Sequence, residues 1–174
     1  MIQELLKYVC TNLEKNKIEY MVSGSLALIS YTIPRMTRDI DIVINLNNNN
    51  LDAFKGIFKN RFYYNDDTIK TELYRKGMFN VIDHETGFKI DFIIRKNTEY
   101  RIEEFERKQR TVDFGFPCYI VSKEDLIISK LIWIQDFQSN TQIEDIKNLI
   151  NENIDMAYIR SWIGKLKIET FDLL

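Results

Sequence analysis

Asp39-Ile40-Asp41-Ile42-Val43-Ile44 is the stretch on which the fold turns. Its alternation and β-branched content predict a strand, and in a strand residues two apart share a face. Asp39 and Asp41 therefore point one way, and Ile40, Ile42 and Ile44 the other. Residues 88–94 repeat the pattern: Phe88, Ile90, Phe92 and Ile94 form an apolar face, leaving Lys89, Asp91 and Ile93 opposite. If the two strands pair, three aspartates converge on one polar patch. Two unit charges ~5 Å apart repel by about 3 kcal/mol at an effective dielectric of 20, so such a gathering is costly on its own. A divalent cation with oxygen ligands reverses the sign, and Mg²⁺ binds through one or two carboxylates together with substrate phosphates. The competing reading is a chance Asp-x-Asp on an exposed strand.

Working outward, Tyr20-Met21-Val22 is a short apolar run ending at Gly24, which predicts a buried strand entering a turn. Leu26-Ala27-Leu28-Ile29 then reads as a short buried helix closed before Pro34. Gly24-Ser25 thus lies where a strand ends and a helix begins, a place that offers free N–H groups to a phosphate. Glycine lets the phosphate approach the backbone, and Ser25 has a hydroxyl to donate. An ordinary strand-to-helix turn is the plainer alternative.

Residues 2–16 place Ile2, Leu5, Leu6, Val9 and Leu13 at helical spacing. Asn47-Asn48-Asn49-Asn50 reads as a turn that caps a helix bearing Leu51, Phe54, Ile57 and Phe58. Residues 78–83 and 88–94 form a hairpin through His84-Glu85-Thr86-Gly87. Residues 99–108 read as a charged surface helix and 118–121 as a short strand. Ser122-Lys123-Glu124-Asp125 has the form of an N-cap with acidic residues in the first turn. Three helices follow, over 126–137, 143–150 and 156–166. The order predicts an α/β (α+β) protein: a mixed-sheet core over 1–121 and a helical C-terminal part over 122–174.

A chain of 174 residues buries roughly 70% of its unfolded surface, enough for a core without staples. The formal net charge of −2 gives no global basic field, so a nucleic-acid partner would need a local patch. Cys10 and Cys118 form no CxxC pair and read as reduced thiols. A charged N-terminal stretch and no apolar run near ~20 residues give the expectation of a cytoplasmic protein without a membrane span. His84 is the only histidine, which excludes histidine-cluster zinc sites and weighs against a histidine-based triad. Catalysis, if present, rests on carboxylates.

Gly24-Ser25, thirteen residues, Asp39-Ile40-Asp41, and then Asp91 within Lys89-Ile90-Asp91-Phe92-Ile93 resemble the nucleotidyltransferase superfamily of DNA polymerase β. The phrase Arg35-Met36-Thr37-Arg38-Asp39-Ile40-Asp41-Ile42-Val43 looks like small bacterial stand-alone members, among them relatives of the abortive-infection nucleotidyltransferase toxins. Ser129-Lys130 and Asp145 resemble the family's helical motif, although Trp133, Gln135, Asp136 and Gln138 stand where arginines are frequent. The resemblance covers about residues 18–150. It implies a mixed sheet of about four or five strands flanked by helices, with two Mg²⁺ ions at Asp39, Asp41 and Asp91 as catalytic metal ligands. It further implies an NTP held by Gly24, Ser25, Arg38 and Lys130, transfer of its nucleoside monophosphate to an acceptor hydroxyl, and release of pyrophosphate. The sequence leaves the acceptor open among an RNA 3′ end, a small-molecule hydroxyl and a protein side chain. The alternative is a non-catalytic nucleotide- or partner-binding protein of the same fold, for example one half of a toxin–antitoxin pair.

Other residues carry two readings each. Arg35 and Arg38 either contact phosphate or are solvent-facing loop residues. Arg107, Lys108 and Arg110 read as the wet face of a surface helix. Phe62-Tyr63-Tyr64 reads as a partly buried edge strand rather than a stacking site, and His84 belongs to the hairpin turn. Trp133 and Trp162 are both expected in the core.

Overall fold

The computed structural model describes residues 2–33, 36–37, 39–151 and 153–174. The first helix, α1 (Ile2–Lys15), buries Leu5, Leu6, Val9, Cys10 and Leu13. β1 (Tyr20–Ser23) runs into the short helix α2 (Gly24–Ala27) and a 3-10 turn, Leu28–Ser30. β2 (Asp39–Ile44), α3 (Leu51–Phe58), β3 (Phe62–Tyr63) and α4 (Asp66–Arg75) follow. Then come the hairpin β4 (Met78–Asp83) and β5 (Lys89–Ile94), α5 (Glu99–Glu106), β6 (Gln109–Thr111) and β7 (Cys118–Ile120). Helices α6 (Lys123–Asp136), α7 (Asn140–Leu149) and α8 (Met156–Leu166) complete the chain.

The strands form one mixed sheet in the order β3-β4-β5-β2-β1-β7-β6. β2 lies parallel to β5, and β1 parallel to β7; the other neighbours are antiparallel. Its seven strands exceed the expected four or five. The surplus comes partly from β6, whose three residues, Gln109–Thr111, are too few to show a period. α4 was likewise not anticipated: only Ile69 and Leu73 anchor it, and its start is set by Asn65, whose Oδ1 accepts from the Thr68 N–H at 2.8 Å.

The alternation of the strands sorts their side chains into two cores. One face gives Tyr20, Val22, Ile40, Ile42, Ile44, Ile90, Phe92 and Ile94 to a cluster closed by α1 and α3. There Phe54, Phe58, Phe79 and Phe92 meet ring to ring, with centroids 4.7–5.6 Å apart. Cys10 and Cys118, both free thiols, are buried in the same cluster. The other face gives Met21, Val43 and Val121 to a cluster roofed by α5, α6, α7 and α8. The aspartates lie on this second face, so the C-terminal helices stand beside them.

Four local expectations need correction. The asparagines fold the turn before α3 without a side-chain cap. The Asn47 N–H donates to Asn50 Oδ1 and the Asn49 N–H to Asn47 Oδ1, each at 2.8 Å. α5 is a surface helix only in part, since it buries Tyr100, Glu104 and Phe105 while Glu99 and Glu106 stay exposed. The three basic residues after it do not share its wet face. Arg107 binds Asp125 at 3.0 Å, Lys108 lies over the Phe105 ring, and Arg110 stands in β6. Finally, Trp162 is core but Trp133 is 60% exposed.

Candidate active site

Three strands meet at the site. β1 pairs with β2 so that Ser23 stands opposite Asp41, and β2 pairs with β5 so that Asp41 stands opposite Asp91 and Asp39 opposite Lys89. Asp41 is therefore flanked on both sides, while Asp39 lies one pleat nearer the open end and is exposed. Asp91 is buried, and the intervening Ile40, Ile42, Ile90 and Phe92 are fully buried on the other face. Strand periodicity alone brings the three expected aspartates together.

The Gly24-Ser25 turn closes the third side. Gly24 has φ +59°, in the left-handed region where glycine carries no steric penalty, and a Cβ there would overlap the Asp41 carboxylate. The sequence thus needs glycine twice over, for the turn and for the approach of Asp41. Ser25 follows at the start of α2, half-buried. Arg38, the remaining expected phosphate contact of this segment, lies outside the described residues, as does Arg35.

Among the described residues, two lysines from different elements offset part of this charge. Lys89 Nζ sits 2.8 Å from Asp91 Oδ2 and 3.9 Å from Asp39 Oδ1. Lys130, on α6 and only 5% exposed, donates to Gln142 Oε1 at 2.6 Å and to Asp145 Oδ2 at 2.8 Å, both on α7. Its charge also reaches the sheet. The Asp41 carboxyl is held above the ordinary carboxylate range by burial first and then by the charges of Asp91 and Asp39, while Lys130 and Lys89 pull it back. The Lys89 ammonium is held charged by its direct hydrogen bond to Asp91, against the effect of its burial.

α6 is fixed one residue before Lys130. Ser129 Oγ donates to Glu104 Oε1 at 2.5 Å and accepts from Arg101 Nη1 at 2.8 Å, tying α6 to α5. At the start of α6, Asp125 accepts from Arg107 at 3.0 Å and from the Tyr158 hydroxyl at 2.8 Å, tying it to α8. Lys89 and Gln142 are the members of this site that the sequence reading did not assign. Lys89 was legible from its spacing, two residues before Asp91 on the same strand face. Gln142, three residues before Asp145, shares a helix face with it.

The donor set suits a hard divalent cation: carboxylate oxygens only, on one face, with mutual repulsion that raises one of them. Among the described residues no three acidic, histidine or cysteine side chains are already drawn into a cage around one point. The ammonium of Lys89 stands among two of the three carboxylates instead.

This mixed sheet, with Gly-Ser after its first strand, Asp-x-Asp on the second and a further aspartate on the neighbouring parallel strand, shares its fold with solved nucleotidyltransferase-type proteins. The chain belongs to the family described as "Nucleotidyltransferase of unknown function (DUF6036)", whose model matches residues 1–170. Solved structures agree on the fold. One similar structure is ANT(2″)-Ia in complex with adenylyl-2″-tobramycin, with TM-score 0.67 and 11% identity over 95% of this chain and 96% of that one. The lincosamide antibiotic adenylyltransferase LnuA, lincomycin-bound, gives 0.55 and 16% over 83% and 93%. An antigenic nucleotidyltransferase-like protein from Paracoccidioides brasiliensis gives 0.56 and 15% over 94% and 87%. No curated protein sequence matches. Among the described residues no helix is long and apolar enough to cross a membrane.

Proposed function

We propose that this chain transfers a nucleoside monophosphate from an NTP to an acceptor hydroxyl and releases pyrophosphate, with two Mg²⁺ ions held by Asp39, Asp41 and Asp91. The observation that carries this reading is the parallel register of Asp41 with Asp91, with Gly24 packed on the Asp41 carboxylate from the other side. Residues 1–121 hold the reacting groups, and the helices of 122–174 contribute Lys130.

When bound, the metal ions supply charge stabilisation to the attacking and leaving oxygens of an in-line displacement at the α-phosphate. The Gly24 backbone, the Ser25 hydroxyl and Arg38 hold the triphosphate, and Lys130 meets its charge as a point cation. Asp91 accepts the proton of the acceptor hydroxyl as that oxygen bonds to the α-phosphorus. The bond from the α-phosphorus to the bridging oxygen breaks, and pyrophosphate leaves with the electron pair. Lys89 has to release Asp91 for this step, and its half-exposed side chain can turn to solvent.

ATP labelled at the α- or the γ-phosphate, with Mg²⁺ and a panel of acceptors, tests the reading. RNA, proteins and the hydroxyls of an aminoglycoside and a lincosamide belong in the panel, the last two because ANT(2″)-Ia and LnuA are named for such antibiotics or solved with them. The α-label should become attached and the γ-label should appear in pyrophosphate. Loss of even an outer partner of a metal ligand costs about 10–100-fold, so Asp41→Asn and Asp91→Asn should each slow transfer by about a hundredfold or more. Attachment of the γ-label, or α-label transfer indifferent to both substitutions, contradicts it.

The second reading, a non-catalytic nucleotide- or partner-binding protein such as a member of a toxin–antitoxin pair, draws on one observation. The Lys89 ammonium already neutralises part of the carboxylate cluster from within the chain. Under that reading no acceptor becomes labelled, while nucleotide or a partner protein still binds.

A further inference from the structure

The stripe of α6 that carries Lys130 continues past it. At about 100° per residue, Leu126, Lys130 and Trp133 fall within roughly 60° of one another on the helix, and Phe137 follows as its extended C-cap residue. Leu126 is buried in the roofed cluster, and Lys130 is buried with its charge felt at Asp41. Beyond Lys130 the same stripe emerges: Trp133 is 60% exposed and Phe137, at the end of the helix, 71%. The adjacent stripe of Ile127, Leu131 and Ile134 stays fully buried, so the helix does not leave the fold. One face of α6 alone is left open to solvent, one turn past the lysine whose charge reaches Asp41. The segment that leads into Asp39 also presents apolar groups to water, Ile33 and Met36. Two open aromatic rings beyond a buried ammonium whose charge reaches Asp41 are poorly explained by packing.

We infer that Trp133, extended by Phe137, is the stacking platform for the base of the nucleotide whose phosphates meet Lys130. The inference rests on the nucleotide-transfer reading of the site. With a rise of 1.5 Å per residue, Trp133 lies ~4.5 Å beyond Lys130 along the helix, and Phe137 caps its end. A nucleotide anchored by its phosphates at Lys130 and laid along this stripe brings its base onto the indole. Aromatic stacking tolerates any base, because every base has a π-face, and it favours purines by area. No polar side chain shares the emerging stripe, so the platform selects for a flat ring and little else. An aromatic ledge would also serve a partner protein, in which case it would leave nucleotide affinity untouched.

The full-length protein, its Trp133→Ala variant and its Trp133→Phe variant are titrated calorimetrically with α,β-methylene-ATP and with inorganic tripolyphosphate, each with Mg²⁺. Trp133→Ala should weaken the nucleotide analogue about tenfold and leave tripolyphosphate within about twofold, and Trp133→Phe should recover most of the loss. Trp133 fluorescence should be quenched by the analogue and not by tripolyphosphate, whereas the buried Trp162 should give no response in Trp133→Phe. Unchanged analogue affinity in Trp133→Ala, or equal losses for both ligands, overturns the platform while leaving the nucleotide reading in place. Failure of the unaltered protein to bind either ligand removes both.

Discussion

Asp41 is the residue on which the site's energetics centre. It is flanked by Ser23 and Asp91 in register, touched by Gly24, and influenced by lysines from β5 and α6. In the unfolded chain it releases its proton near the ordinary value of about 3.9. In the fold, burial and the charges of Asp91 and Asp39 hold the proton to higher pH. Between the two values the folded state binds the extra proton, so this residue's contribution to stability falls as pH rises through that window and stays low above it. Asp41→Asn should therefore melt higher than the unaltered protein at pH 7 in the presence of a chelator. Relief of like-charge repulsion at Asp41, net of what Lys130 and Lys89 already offset, by roughly 1 kcal/mol corresponds to about 2–4 °C for a chain of this size. The gap should close near pH 3, where both states are protonated, and thermal melts across that range check it. A variant less stable than the parent at pH 7 contradicts the account. At this scale the aspartates were legible because a period of two divides a strand's faces cleanly. Trp133 was not, because the apolar arc of α6 is wider than the arc the sheet covers.

Between elements, the decisive contact is α6 on α7. Lys130 and Asp145 form a buried ion pair supported by Gln142, and the same lysine projects its charge to Asp41. Removing one partner of a buried pair leaves an uncompensated charge and costs about 3–5 kcal/mol, whereas removing both takes away the pair's two charges together. Lys130→Ala and Asp145→Ala should each be destabilising by that order, and the double variant by clearly less than their sum. Urea denaturation of the four proteins measures the coupling, and simple additivity would refute it. The three C-terminal helices were readable from their caps and periods. The Ser122 cap forms, with its hydroxyl oxygen accepting from the Asp125 N–H at 3.2 Å. β6 and α4 were not readable, since three residues show no period and two apolar anchors barely mark a face. The meeting of Lys130 with Asp41 was equally hidden, because 88 intervening residues separate a helix from a strand that only tertiary packing brings near.

Across the molecule, one sheet divides the labour. Its first face, closed by α1 and α3, is a dry aromatic and aliphatic core. Its second face is dry under α5, α6, α7 and α8 but carries Asp39, Asp41, Asp91 and Lys89 at its open end. The fold thus aims carboxylates from β2 and β5 at the space beside Gly24, with Lys130 overhead. The central claim is that these groups form one cation and nucleotide site. Mn²⁺ binding followed by electron paramagnetic resonance, with and without α,β-methylene-ATP, tests it most directly. The account predicts that the unaltered protein binds Mn²⁺ more tightly with the nucleotide present, and that Asp39→Asn, Asp41→Asn and Asp91→Asn each weaken binding by about tenfold or more. Mn²⁺ binding that is indifferent to the nucleotide and to all three substitutions would contradict it.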